Sequence, residues 1–200
     1  MKSLRAMELL ITIESFKKGD CNLFSEIEVK AKKGDAYNQW IMADLYNQGL
    51  CVEKNPKAAL SWLQKSASQG NSDAQHDIGF YYYTGIGTKI NYLLAAHWFE
   101  KAAKKGVIRA MRQLGTMFEE GQGVLRDYQK ALSYFKQASD RGDLESTFRI
   151  GVFYVNGKGV AQDFEKGLEW QLKAANLGYG PSQLVAAHIL EIFHQNRKSK

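Results

Sequence analysis

Only two prolines interrupt this 200-residue chain and 24% of its residues are charged, a composition that excludes a long disordered linker or a low-complexity tract. Cysteine is as scarce. Cys21 and Cys51 share no metal-ligand spacing with each other or with any histidine, and a small secreted disulfide scaffold would carry more of them. Two partly buried thiols in a reducing cytoplasm are the expectation. Long apolar runs are also missing, and no stretch approaches the length of a membrane span. Met1-Lys2-Ser3-Leu4-Arg5 has the look of a signal-peptide start. The apolar run Leu9-Leu10-Ile11-Thr12-Ile13 is short, however, flanked by Glu8 and Glu14, and followed by no small-residue cleavage site. These features predict a cytoplasmic protein.

What is present is ample apolar material, 44% of the residues, enough for a sizeable core in one or two domains. The net charge of +6 is concentrated at the ends. Without Lys2, Arg5, Arg197, Lys198 and Lys200 the remainder holds 22 basic and 21 acidic side chains, so the body is near-neutral. Such a distribution argues against a groove that tracks phosphates.

The dominant feature is internal repetition. Gly34, Gly70, Gly106, Gly142 and Gly178 recur every 36 residues without a slip. Four more columns keep the same phase: Gly49, Gly85, Gly121 and Gly157; Trp62, Trp98, Tyr134 and Trp170; Tyr46, Tyr82, Phe118 and Tyr154; Asn55, Asn91, Asp127 and Asp163. The Asn/Asp column supplies helix N-caps, and Pro56 after Asn55 suits a first helical position. The second helix of each unit is predicted over 56–69, 92–105, 128–141 and 164–177, ending on the first glycine column. The first helices fall at 37–48, 72–84, 109–120 and 145–156, with Ser72 and Gln75 as a capping box. Gly85-Ile86-Gly87, Gly121-Gln122-Gly123 and Gly157-Lys158-Gly159 mark the turns between helices, while the first unit has Gly49-Leu50-Cys51. No Gly-Lys-Ser/Thr ending makes them phosphate loops.

Ala74, Ile78 and Tyr82 share one face of a first helix, and Gly79 and Gly115 beside that face permit close approach. Ala95, Trp98, Ala102 and Ala103 form the matching stripe on the second helices, with the tryptophan as the filling ring, each such burial contributing about 1.5–3 kcal/mol. One unit cannot bury its stripe alone, so the units stack and share a core. The chain is predicted to be all-α, a right-handed α-solenoid of about four full 36-residue helix–turn–helix repeats plus capping helices. Residues 1–35 are read as N-terminal caps (helices near 3–18 and 21–33), 36–181 as the repeats, and 182–200 as a capping helix with a basic tail, one continuous domain.

Ile78-Gly79, Tyr82, Gly85-Ile86-Gly87, Asn91, Ala95, Trp98 and Lys101-Ala102-Ala103-Lys104-Lys105-Gly106 resemble the Sel-one-like repeat, a relative of the tetratricopeptide repeat. Leu114-Gly115, Phe118, Gly121-Gln122-Gly123-Val124 and Asp127 match it again, as do Ile150-Gly151, Tyr154, Gly157-Lys158-Gly159-Val160, Asp163 and Trp170. Gly167 stands where the family usually has alanine, and Ala43 where the other units have glycine. The resemblance implies a non-enzymatic adaptor or scaffold whose partner is a protein or peptide. It leaves open a dedicated inhibitor, such as an immunity protein that occludes a bacterial toxin.

In related solenoids the side of the first helix opposite its packing stripe lines a concave groove. Counting by 100° per residue, that side carries Trp40, Asp44, Asn47 and Gln48 in unit one and His76, Phe80, Tyr83 and Thr84 in unit two. It carries Arg112, Thr116, Glu119 and Glu120 in unit three and Phe148, Val152, Val155 and Asn156 in unit four. Trp40, Phe80, Tyr83 and Phe148 are expected to anchor a partner segment, with Arg112, Asp44 and Glu119 setting polarity.

Catalytic and metal chemistry find no support. His76, His97, His188 and His194 lie on predicted helices without a second Cys or His ligand at i+3 or i+4. No nucleophile–base or paired-carboxylate constellation emerges, so no catalytic residue, metal, cofactor or small-molecule substrate is expected. RNA reading by helical repeats needs recurring polar pairs and a basic groove, and here the groove columns vary from Trp to Val. Leu184 to Phe193, followed by Arg197-Lys198, is read as a capping helix with a solvated tail rather than a membrane-contacting one.

Overall fold

The protein is described by a computed structural model over residues 14–198. Among these residues every regular element is helical. After a helical turn at 14–17 come α1 (Phe24–Lys32), α2 (Ala36–Gln48), α3 (Pro56–Ser68), α4 (Ser72–Thr84) and α5 (Tyr92–Lys104). These are followed by α6 (Ile108–Glu120), α7 (Tyr128–Ser139), α8 (Leu144–Asn156), α9 (Phe164–Asn176) and α10 (Gly180–Lys198). The architecture is an all-α repeat solenoid. It divides into two compact units, one up to Ala102 and one from Ala103 onward. The helix expected over 3–18 lies mostly outside the described residues.

The caps follow the chemistry of the Asn/Asp column. The side chains of Asn55, Asn91, Asp127 and Asp163 accept from the backbone N–H three residues on, at 3.0, 3.0, 2.9 and 2.9 Å. Those backbone donors hold the Asp127 and Asp163 carboxyls below their ordinary range. A second capping column, Asp35, Asn71 and Asp143, opens α2, α4 and α8. Asn71, not Ser72, therefore caps α4. The expected capping box is replaced by a longer reach, in which Gln75 Nε2 donates to the Ala67 carbonyl at the end of α3. Gln39 does the same to Ala31 and so ties α1 to the first repeat.

Packing within each repeat turns on one contact. A methyl group built on Gly115 would lie 2.6 Å from the Phe135 ring, and one on Gly79 would lie 2.8 Å from Phe99. Gly151 meets the Gln171 side chain in the same way, at 2.5 Å. In the first repeat the pair is Ala43 with Leu63, a larger residue facing a smaller one, and both sit in one buried cluster with Ile78 and Tyr81. Ala43 is thus the compensated version of the column. Phe99 and Phe135 are fully buried. The expectation that the Trp62/Trp98/Tyr134/Trp170 column fills this gap is corrected by one helical position: those rings are half-buried at the rim. Lysine ammonium groups cover three of them, Lys65 over Trp62 at 4.2 Å, Lys101 over Trp98 at 4.4 Å and Lys173 over Trp170 at 4.6 Å.

The two cysteines are not thiols. Cys21 and Cys51 form a disulfide across 30 residues, joining the segment before α1 to the turn after α2. Cys51 has φ +59° and is the one non-glycine residue with positive φ among the described residues. Its column elsewhere is glycine for a reason. A side chain on Gly159 would lie 2.7 Å from Tyr128 Cβ, and one on Gly87 would collide with the Pro56 carbonyl, each the start of the preceding repeat's second helix. The first repeat has no such predecessor. A Cβ fits there, and the sulfur bonds to the segment before α1 instead.

Two outcomes follow from this packing. Gly115→Ala should destabilise the C-terminal unit by about 1–3 kcal/mol, read from urea unfolding, because neither Phe135 nor the α6 backbone has room to retreat. Reducing the disulfide should lower the stability of the N-terminal unit by about 2–4 kcal/mol, the range for closing a loop of this size. Superimposable urea curves with and without dithiothreitol would show that α1 is held without it.

Candidate partner-binding site

In the N-terminal unit the solvent-side turns of α2 and α4, one period apart, come together. Trp40 Nε1 donates to Asp77 Oδ2 at 2.7 Å across 37 residues, which fixes the indole as one wall. Trp40, Asp44 and Asn47 from α2, with Asp77, Phe80 and Tyr81 from α4, enclose an open pocket of about 200 Å³ floored by Ala43, Leu63 and Ile86. Phe80 is 38% exposed on its rim. Asp44 takes two hydrogen bonds of 2.7 Å from Gln48 Nε2, yet burial and the nearby Asp77 charge push its carboxyl above the usual aspartate range. Burial, together with the charges of Asp77 and Asp44, raises the Tyr81 phenol far above its ordinary value, so it stays a neutral hydroxyl. Among the described residues neither Asp44 nor Asp77 has a lysine or arginine partner within 4.0 Å.

His76 does not line this face. It is 7% exposed, its Nδ1 lies 2.8 Å from Asp77 Oδ1, and its ring centroid is 5.6 Å from that of Phe99. The 100° count placed it outward, but the Phe99 ring seated over Gly79 draws it into the core. Tyr83 also packs inward, edge-on against Tyr92 at 5.2 Å.

The corresponding face of the C-terminal unit is built differently. Arg112 pairs with Asp143 at 3.0 Å and Glu145 at 3.1 Å, so the α8 N-cap residue carries an ion pair from α6. Glu119 is nearly buried between Arg149 at 3.3 Å and Lys158 at 2.8 Å. Thr116 Oγ1 donates to the Arg112 carbonyl, Phe148 packs 5.6 Å from the Tyr179 ring, and Val155 closes over Gly167. Val152 is half-buried. Arg112 and Glu119 therefore join α6 to α8 and the turn beyond it. That Val155 contact also explains Gly167: an alanine methyl there would lie 2.5 Å from Val155 Cγ2.

Comparison with known proteins meets this geometry repeat by repeat. The family model of the Sel1 repeat matches residues 39–71, 72–107, 108–143 and 144–179. The chain belongs to the Sel1 repeat family. A Sel1 repeat protein from Oxalobacter formigenes is 32% identical, with a TM-score of 0.82, over 90% of this chain and 74% of that one. A protective antigen present in uropathogenic Escherichia coli strains, which displays the same fold, is 28% identical with a TM-score of 0.81. That match covers 83% of this chain but only 36% of the antigen. Cysteine-rich protein B of Helicobacter pylori is 17% identical over 66% of this chain and 92% of that one, with a TM-score of 0.50, and shows the fold alone. No curated protein matches the chain significantly. Sel1 repeats are generally protein–protein interaction modules, and their fold is a non-catalytic interaction scaffold.

Asp77 and Tyr81 were not among the residues expected in a Sel1 binding face. The signal for Asp77 was available: it follows Asp44 by three residues less than one 36-residue period, which sets the two acids one turn apart on neighbouring first helices. Tyr81 carried no such mark. On the C-terminal side, Glu119→Ala should cost about 1–2 kcal/mol in urea unfolding by stranding Arg149 and Lys158. A variant as stable as the parent would return Glu119 to the list of residues available to a partner.

Proposed function

We propose that this Sel1 repeat protein is a non-enzymatic adaptor or scaffold that binds a segment of a protein partner on the exposed side of its first helices. The observation that carries this reading is the N-terminal pocket, where Phe80 stands exposed beside the Trp40 indole and the Tyr81 hydroxyl. Aromatic side chains around a partly desolvated depression are the residues that dominate binding energy at interfaces. Trp40, Asp44, Asn47 and Phe80 remain the proposed contacts. Phe148 and Val152 are the proposed apolar contacts of the C-terminal unit, where Arg112 and Glu119 are already held by partners within the chain.

A protein partner is favoured over nucleic acid because the N-terminal pocket is acidic and the arginines of the other face are neutralised by carboxylates. Among the described residues no helix is long and apolar enough to cross a membrane. The Cys21–Cys51 bond supports an oxidising compartment rather than the cytoplasm expected from the sequence, since disulfides rarely persist among cytosolic thiols.

The test is site-specific photocrosslinking in the native cell. A photoreactive phenylalanine analogue at position 80 should give a discrete adduct with one partner. The same analogue at Leu125, which is 91% exposed in a turn, should not. Phe80→Ala should weaken capture of that partner at least tenfold with no change in melting temperature. Adducts at position 125 and none at position 80 would place binding elsewhere and end the proposal.

A further inference from the structure

We propose that the N-terminal pocket is selective for a cation, the side chain of a lysine or arginine projecting from the bound partner. This rests on the reading of that face as a protein-binding surface and specifies what enters it. Three observations converge on it. The pocket, at about 200 Å³, is smaller than the roughly 300–1,000 Å³ usual for small-molecule sites and suits a single side chain. Its two acids sit close enough that the Asp77 charge raises the pKa of Asp44, and among the described residues no lysine or arginine lies within 4.0 Å of either, Lys17 acting on Asp44 only from farther away. Its walls are aromatic, Trp40 on one side and Phe80 on the other, and the same chain repeatedly lays lysine ammonium groups over tryptophan rings.

The chemistry is complementary in each part. A guanidinium or ammonium head brings the missing positive charge between Asp44 and Asp77, relieving their mutual repulsion. Its methylene stem lies against the rings and the Leu63 floor. Trp40 is already oriented by its bond to Asp77, so little ordering is required of that wall on binding. An acidic or neutral side chain would gain none of this. The C-terminal unit makes the point by contrast: there Arg149 and Lys158 already flank Glu119, whereas no lysine or arginine is in contact with Asp44 or Asp77 among the described residues.

The experiment is a nuclear magnetic resonance titration of the disulfide-bonded 200-residue chain, following the Trp40 indole N–H signal. The probes are three capped pentapeptides, identical except for a central arginine, lysine or citrulline. The arginine and lysine peptides should shift the signal saturably, and the citrulline peptide, of the same shape but uncharged, should bind at least tenfold more weakly. Asp44→Asn, which keeps an acceptor for Gln48, should reduce affinity for the cationic peptides at least fivefold. Raising the salt concentration should weaken them further. Equal response to citrulline, an unchanged Asp44→Asn variant, or no shift with any peptide would each overturn the proposal. Crosslinking at Phe80 is independent of these titrations: a partner captured there while all three peptides fail would leave the interaction face standing and remove only its cation selectivity.

Discussion

In every repeat a small residue of the first helix lies beneath a large side chain of the second: Ala43 beneath Leu63, Gly79 beneath Phe99, Gly115 beneath Phe135, Gly151 beneath Gln171. The two helices can approach only because one partner lacks bulk, and the interior has no slack for both to be large. Everything outward of that contact inherits its position. Asp44, Phe80, Thr116 and Val152 each directly follow the small residue, so burying one turns the next toward the first helix's free side. The buried pairs hold the repeat together, and the position beside them is released to vary. Repeat proteins place their individuality in such columns because the stacking contacts tolerate no change.

The two halves of the chain use that freedom in opposite ways. From Ala103 onward, this face pairs its charges within the chain, Arg112 with Asp143 and Glu145, and Glu119 with Arg149 and Lys158. These pairs are partly shielded from water and specify how α8 sits on α6. Before Ala102 the corresponding side is aromatic and acidic, and its carboxylates are met by Gln48, His76 and Trp40 rather than by lysine or arginine. A surface that neutralises itself is built for cohesion.

The turn of the first repeat departs from the others. Gly87 and Gly159 are required at their turns because the preceding helix start occupies the space of a Cβ. In the first repeat a cysteine takes the left-handed position, and its sulfur bonds to the segment before α1. The departure Gly49-Leu50-Cys51 was visible as a break in the glycine column. Its meaning was not, because thirty residues of separation say nothing of proximity until α1 and α2 are packed. For the same reason the thiol expectation failed.

The 36-residue period, the helix limits, the Asn/Asp caps and the glycine turns were all determined by the sequence alone, since each depends on interactions within a few residues. Helix boundaries read from those columns agree with the structure to within two residues in all four repeats. Tertiary structure decided which ring of two adjacent columns fills the core, drawing Phe99 and Phe135 in and leaving Trp98 at the rim. It also decided that His76 is buried, that Arg112 and Glu119 are engaged within the chain, and that Asp77 and Tyr81 face Asp44. A helical wheel gives angles about one axis, whereas burial depends on the neighbours that close over each angle, and those neighbours lie twenty or more residues away on another helix.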